Sequence, residues 1–181
     1  MYLITGNRHK FDEMKKIIKN EIKILARPYP EIQTNTLEHV VKYGVEFLSE
    51  KIEGDFLIED SGLFIESLNN FPGVFSSYVF KTIGNEGILK LVEGKKIKNA
   101  SFVSVIAYYD SNIKSFKGIC KGIIAEKTRG DKGFGYDPIF IPNKSINTFA
   151  EMEITEKNKY SHRGKSTRML KRYLEEKNKR Y

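Results

Sequence analysis

Leu3-Ile4-Thr5-Gly6-Asn7-Arg8-His9-Lys10-Phe11 turns from a strand into a helix. Leu3 and Ile4 form a short apolar run that Thr5-Gly6-Asn7 breaks. Phe11, Met14, Ile17 and Ile18 then recur at the spacing of one buried helix face. The same alternation continues downstream. A second strand over 21–27 closes at Pro28 and Pro30. A helix with Thr36 at its N-cap runs to about Lys51, with Leu37, Val40, Val41, Phe47 and Leu48 inward. Phe56-Leu57-Ile58 reads as a third strand that ends in a turn at Glu59-Asp60-Ser61-Gly62 and resumes at Leu63-Phe64-Ile65. An irregular loop over 69–73 and a short helix over 87–92 follow. Residues 101–109 and 113–124 then form two long strands joined by Asp110-Ser111-Asn112, a hairpin signal. A Gly-rich charged loop, the apolar run Ile139-Phe140-Ile141 and a last helix over roughly 164–177 complete the chain. Strands alternating with helices early, and a hairpin late, predict an α/β fold with a mixed sheet in one compact unit over 1–181.

Composition narrows the class. The chain has 181 residues, 40% apolar and 30% charged, which describes a globular protein and excludes a disordered tail. No run approaches the roughly 18 apolar residues of a membrane span, and no basic segment precedes a long apolar stretch at the N-terminus, so no signal peptide is expected. A single cysteine, Cys120, excludes an intramolecular disulfide and a Cys-based zinc cluster, and a cytoplasmic address follows by default. The net charge is +8. Residues 157–181 hold ten Lys/Arg against two Glu, so the rest of the chain balances at zero. That end reads as a nucleic-acid contact, an anion-substrate site or a solvated basic helix.

Four polar segments separate the apolar elements. Thr5-Gly6-Asn7-Arg8-His9-Lys10 lies between strand and helix, where glycine permits close approach and free N–H groups and Lys10 face an anion. The spacing is not that of a Walker A loop. Glu59-Asp60 places two carboxylates together, which repel unless a cation or hydrogen-bond donors offset them. Asp60 reads either as a turn cap or as a ligand for Mg²⁺, which takes one or two carboxylates with waters and phosphates. Glu31 is a candidate for a further oxygen. Lys132-Gly133-Phe134-Gly135-Tyr136-Asp137-Pro138 partly matches an RNA-recognition strand. Asp137 would oppose an RNA backbone and Pro138 would remove a ladder hydrogen bond, so the stretch reads instead as a loop with Phe134 or Tyr136 free to stack on a flat ring. Lys157, His162 and Arg163 form a donor-rich segment ahead of the last helix, suited to phosphates or carbonyl oxygens.

Read in order, the pieces T-G-N-x-x-K at 5–10, E-D-S-G-L at 59–63, F-P-G-V at 71–74, G-F-G-Y-D-P-I-F at 133–140, T-F-A-E-M at 148–152 and E-K-N-x-x-S-H-R-G at 156–164 cover nearly the whole chain. The set resembles the inosine triphosphate pyrophosphatase family, the non-standard purine NTP pyrophosphatases or XTP/dITP diphosphatases. The resemblance implies an elongated mixed sheet flanked by helices, two lobes with the active-site cleft between them, and a homodimer. It also implies Mg²⁺-dependent hydrolysis of ITP, dITP and XTP to the monophosphate and pyrophosphate. By position, Thr5, Gly6, Asn7, Arg8, His9 and Lys10 would hold the triphosphate, and Glu31 and Asp60 the metal. Asp60 would also take the proton of the attacking water, and Ser61 would contact substrate. Phe134, Gly135, Tyr136, Asp137, Lys157, His162 and Arg163 would surround the nucleotide. The chain departs from many relatives at Tyr43, where they carry a lysine and this chain has one only at the adjacent Lys42, and near Ser77, where some carry a basic residue. Lys81 is a candidate substitute for the latter. A phosphatase releasing orthophosphate and a nucleic-acid-binding module are the competing classes; a membrane role is not expected.

Overall fold

The computed structural model describes all residues except 20, 21, 31, 180 and 181. The opening strand and helix are β1 (Tyr2–Ile4) and α1 (Arg8–Ile18), followed by β2 (Lys23–Leu25) and α2 (Leu37–Ser49). Next come β3 (Phe56–Ile65), α3 (Ser76–Val92), the hairpin β4 (Asn99–Tyr109) and β5 (Ile113–Ile124), then β6 (Phe140–Pro142), α4 (Ile154–Tyr160) and α5 (His162–Asn178). The six strands make one mixed sheet in the order β2-β1-β3-β4-β5-β6. β1 runs parallel to β2 and β3, and the remaining pairings are antiparallel. The α/β class and mixed sheet expected from the sequence are the ones observed, and Thr36 caps α2 by accepting a hydrogen bond from His39 N.

The expected turn at 59–62 is not there. β3 is continuous, pairing with β4 from Phe56↔Tyr109 through Asp60↔Val105 to Ile65↔Ala100. β1 pairs only with the first part of β3, at Tyr2↔Phe56 and Leu3↔Leu57. Beyond it, the open edge of β3 is satisfied by other groups. Ser61 N donates to Asp60 Oδ1 (2.8 Å), Leu63 N to Ser76 Oγ (2.8 Å) and Ile65 N to Phe71 O (3.3 Å). The polar run is therefore a strand whose second edge belongs to a cleft, and polarity alone imitates a turn signal. Gly62 lies so close to the carbonyl of Gly73 that a Cβ would collide with it.

Apolar residues gather in three clusters that place this open stretch between two lobes. On one sheet face, Leu57, Ile106 and Tyr108 pack under Phe11 and Met14 of α1 and Leu170 of α5. On the other, Ile58 and Val105 pack under Val41, Val45 and Leu48 of α2. At the far end of the long strands, Leu63, Ile65 and Phe102 meet Val79 and Ile88 of α3 and Phe140 and Phe149. The middle of β3 separates the first two clusters from the third. α3 is longer than the expected 87–92 helix, because it begins at Ser76, shortly after the expected 69–73 loop. Gly84, at φ 62 and ψ −162, breaks it near the middle. α4 was not expected, and α5 starts two residues earlier than the sequence suggests.

Candidate active site

A cleft of about 750 Å³ opens over the middle of β3. Asp60 and Ser61 are its floor. The loop and first turn over 5–10 form one wall, and Ser76, Phe80 and Lys81 of α3 with the loop over 134–137 form the other. His162, Arg163 and Phe102 close the back. Thr5 Oγ1 accepts from Asn7 N (3.0 Å), and Asn7 Oδ1 caps α1 by accepting from Lys10 N (3.1 Å). This fixes the turn that carries the first-turn amides, which have no acceptor within the helix, to the cleft. A Cβ at Gly6 would meet no protein atom, so glycine leaves that wall open.

Beneath the floor lies a buried ionic cluster. The Glu59 side chain is fully enclosed; its Oε1 accepts from Ser104 Oγ (2.7 Å) and lies 3.1 Å from Arg163 Nε. Arg163 also donates through Nη1 to Glu13 Oε2 and through Nη2 to Ser61 Oγ, each at 2.7 Å. Lys157 bridges Glu13 Oε1 and Asp137 Oδ2 at 2.5 Å each. Lys10 Nζ lies 3.0 Å from Glu59 Oε2, 3.2 Å from Glu59 O and 3.6 Å from Asp60 Oδ1. Burial alone would push the Glu59 carboxyl up; the charges of Arg163 and Lys10 and the Ser104 hydrogen bond overcome it and hold it down at about 2. Burial likewise opposes ionisation of Glu13, and Arg163 and Lys157 outweigh it. At Asp137 burial prevails despite Lys157, and its carboxyl is raised. Burial and then the cations Arg163 and Lys157 drive His162 well below the ordinary imidazole range, so the ring is neutral. It stacks on Phe102 with centroids 4.6 Å apart.

The structure gathers nearly every residue singled out from the sequence around this cleft: Thr5 to Lys10, Asp60, Ser61, Phe134 to Asp137, His162 and Arg163. Several have their polar groups turned inward. Lys157, expected on phosphate, is 2% exposed and neutralises Glu13 and Asp137 instead. All three Arg163 nitrogens face protein oxygens, so the guanidinium is an organiser of Ser61 and two glutamates before it is a donor to any ligand. Asp137 Oδ2 accepts from Phe134 N (2.8 Å), and Tyr136 OH donates to Ser76 O (3.0 Å), which pins the loop. The Phe134 ring, expected to stack on a ligand, stacks on His9 across the cleft with centroids 5.3 Å apart. Lys81 lines the cleft and makes no ion pair among the described residues, whereas Lys42 pairs with Glu46 (3.6 Å) on the surface of α2. Glu13 and Ser104 were missed. A carboxylate on the apolar face of α1 and a hydroxyl in the apolar run of β4 were the available signals.

Glu31 lies outside the described residues. Among the described residues no cluster of three or more His, Cys, Asp or Glu is placed to hold a metal. The donor chemistry at Glu59-Asp60 nevertheless suits a hard cation. Glu59 Oε2 is buried without an aligned hydrogen bond and meets only an ammonium at ion-pair distance among the described residues. Asp60 opens on the cleft with the enclosed Glu59 behind it, which suits Mg²⁺, an ion that completes its shell with water and phosphate oxygens.

Residues 1–173 match the family model of the Ham1 family. A protein of Thermococcus kodakarensis described as a dITP/XTP pyrophosphatase is 48% identical over 176 residues, 96% of each chain. One of Pyrococcus horikoshii with the same description is 51% identical over 178 residues, again 96% of each. Among solved structures, a HAM1 protein from Coxiella burnetii superposes with a TM-score of 0.85 at 32% identity, covering 97% of this chain and 98% of that one.

Proposed function

Because the chain belongs to the Ham1 family, we propose that its cleft hydrolyses the non-standard purine nucleoside triphosphates dITP, XTP and ITP to the nucleoside monophosphate and pyrophosphate. The observation that carries this reading is the placement of Asp60 on the cleft floor, facing the amino end of α1 across one open space. The first-turn amides and Lys10 are suited to hold a triphosphate, and Lys81 adds a positive charge from the other lobe. Asp60 is oriented by the amide of Ser61 and takes the proton of the water that attacks the α-phosphorus. Glu31 and Asp60 would hold Mg²⁺. When bound, that ion would offset the charge that builds on the phosphate oxygens. His162, at the back wall, meets the base. Hypoxanthine and xanthine carry oxygen at position 6 where adenine carries an amino group. A pocket of donors aimed at that oxygen would set adenine's N–H groups against other N–H groups, a mismatch that discriminates by orders of magnitude.

The enzyme works as a homodimer in the cytoplasm in this proposal. No helix among the described residues is long and apolar enough to cross a membrane. The test is product identification after incubation with dITP, XTP or ITP and Mg²⁺, with ATP as comparison. Monophosphate and pyrophosphate support the reading. Diphosphate with orthophosphate, or no turnover, overturns it.

A further inference from the structure

Lys10 stands where a cation is needed. Its ammonium contacts both oxygens that Glu59 turns to the cleft side, Oε2 at 3.0 Å and the main-chain O at 3.2 Å, and reaches Asp60 Oδ1 at 3.6 Å. Its side chain is only 16% exposed. The other carboxylate oxygen of Glu59 is already taken by Ser104 and Arg163. The other two cations beneath the floor are committed as well, Arg163 to Glu13, Glu59 and Ser61, and Lys157 to Glu13 and Asp137. Neither can move to neutralise Glu59 Oε2 without uncovering another buried carboxylate, which is costly. Lys10 differs: it is anchored through its backbone at the third residue of α1, and its flexible stem ends in the cleft.

We infer that the Lys10 ammonium is a resident counter-ion of the Glu59-Asp60 pair, displaced when a divalent cation arrives with a triphosphate. The inference rests on the proposed function and deepens it. With the cleft empty, Lys10 neutralises the carboxylates and repels a free divalent ion. When metal and triphosphate enter together, the metal takes over the carboxylates and Lys10 swings to the phosphates, so no charge is left unpaired at either end. The consequence is a coupling: the empty protein binds free metal poorly, and metal and nucleotide bind as one unit.

The test measures Mn²⁺ binding to the protein without nucleotide, by the loss of the free-ion electron paramagnetic resonance signal. Two variants, Lys10→Met and Lys10→Gln, remove the ammonium, and circular dichroism checks that each is folded. The expected result is binding about tenfold tighter or more in either folded variant, because a unit positive charge a few ångströms from the site is gone. Adding Asp60→Asn should abolish the gain. Binding to both variants equal to or weaker than wild type overturns the inference, as does a gain that survives Asp60→Asn. Neither result depends on turnover, so failure here is distinguishable from failure of the proposed hydrolysis, which the product assay reads separately.

Discussion

Glu59 is enclosed by Ser104, Arg163 and Lys10, and its charge is what they share. Glu59→Gln keeps the size and leaves two cations beside an amide. We expect it to cost about 3–5 kcal/mol by urea unfolding at pH 7, the usual effect of breaking a buried ionic contact. The pH dependence follows from the depressed carboxyl, which titrates at about 2 in the folded protein and near 4.5 when free. On acidification the unfolded chain takes up this proton first, so the stabilisation is complete above about pH 4.5 and is lost as pH falls towards 2. The gap in stability between wild type and Glu59→Gln should therefore close across that window. Asp60, 28% exposed on the same strand, should behave differently. Asp60→Asn should unfold like wild type yet lose turnover of dITP by about 10²–10⁴-fold, the usual worth of a general base. A folded Asp60→Asn protein within threefold of wild-type kcat would remove Asp60 from the chemistry.

α3 carries one wall of the cleft, and its shape depends on Gly84. At φ 62 and ψ −162 the backbone is in a region reserved for glycine, yet a Cβ there would meet no neighbour. Gly84→Ala thus tests conformation alone. It should destabilise the protein by about 1–3 kcal/mol in denaturant unfolding and raise the KM for dITP by shifting Phe80 and Lys81. No change in either would show that the break is not required. This break was illegible in the sequence, because a helix interrupted by one glycine scatters its apolar residues around the axis and reads as loop followed by short helix. β3 misled for the opposite reason: Glu59-Asp60-Ser61-Gly62 has the composition of a turn, and only the ladder with β4 reveals a strand. The Thr5 to Lys10 turn and the β4–β5 hairpin were legible because each is specified locally, by a cap, a period or a three-residue turn. The cleft's membership was legible by resemblance, but not the inward pairing of Lys157, Arg163 and Asp137. Glu13, the partner of Lys157 and Arg163, lies far away in the chain, and no local pattern announces it.

At the scale of the whole molecule, part of the basic C-terminal end is engaged within the fold. Beyond Lys157 and Arg163, Lys165 donates to Ile119 O (2.7 Å), Arg168 to Asn158 O (2.7 Å), and Lys177 pairs with Asp110 (2.7 Å). Part of the basic C-terminal end thus fastens α5 to the sheet and to α4. Apolar surface is the more informative feature. Phe75 and Tyr78 are 45% and 69% exposed beside Phe71 and Ile83, more than isolated surface residues need. In the proposed dimer this apolar surface would lie at the interface. Light scattering at tens of micromolar should then give twice the chain mass for wild type and a smaller mass for a Phe75→Asp, Tyr78→Asp double variant. A monomeric wild type would overturn the dimer. One consequence concerns the continuity of β3 past the end of β1. The floor of the cleft and the wall over 5–10 should differ in their isotope-exchange clocks. Amides of Asp60 and Gly62, locked in the ladder with β4, should trade deuterium on the slow scale of global opening, and those of Gly6 and Arg8 far sooner. The carboxylate proposed to react would then ride on the part of the molecule that opens last, facing a turn proposed to bind phosphate and free to breathe.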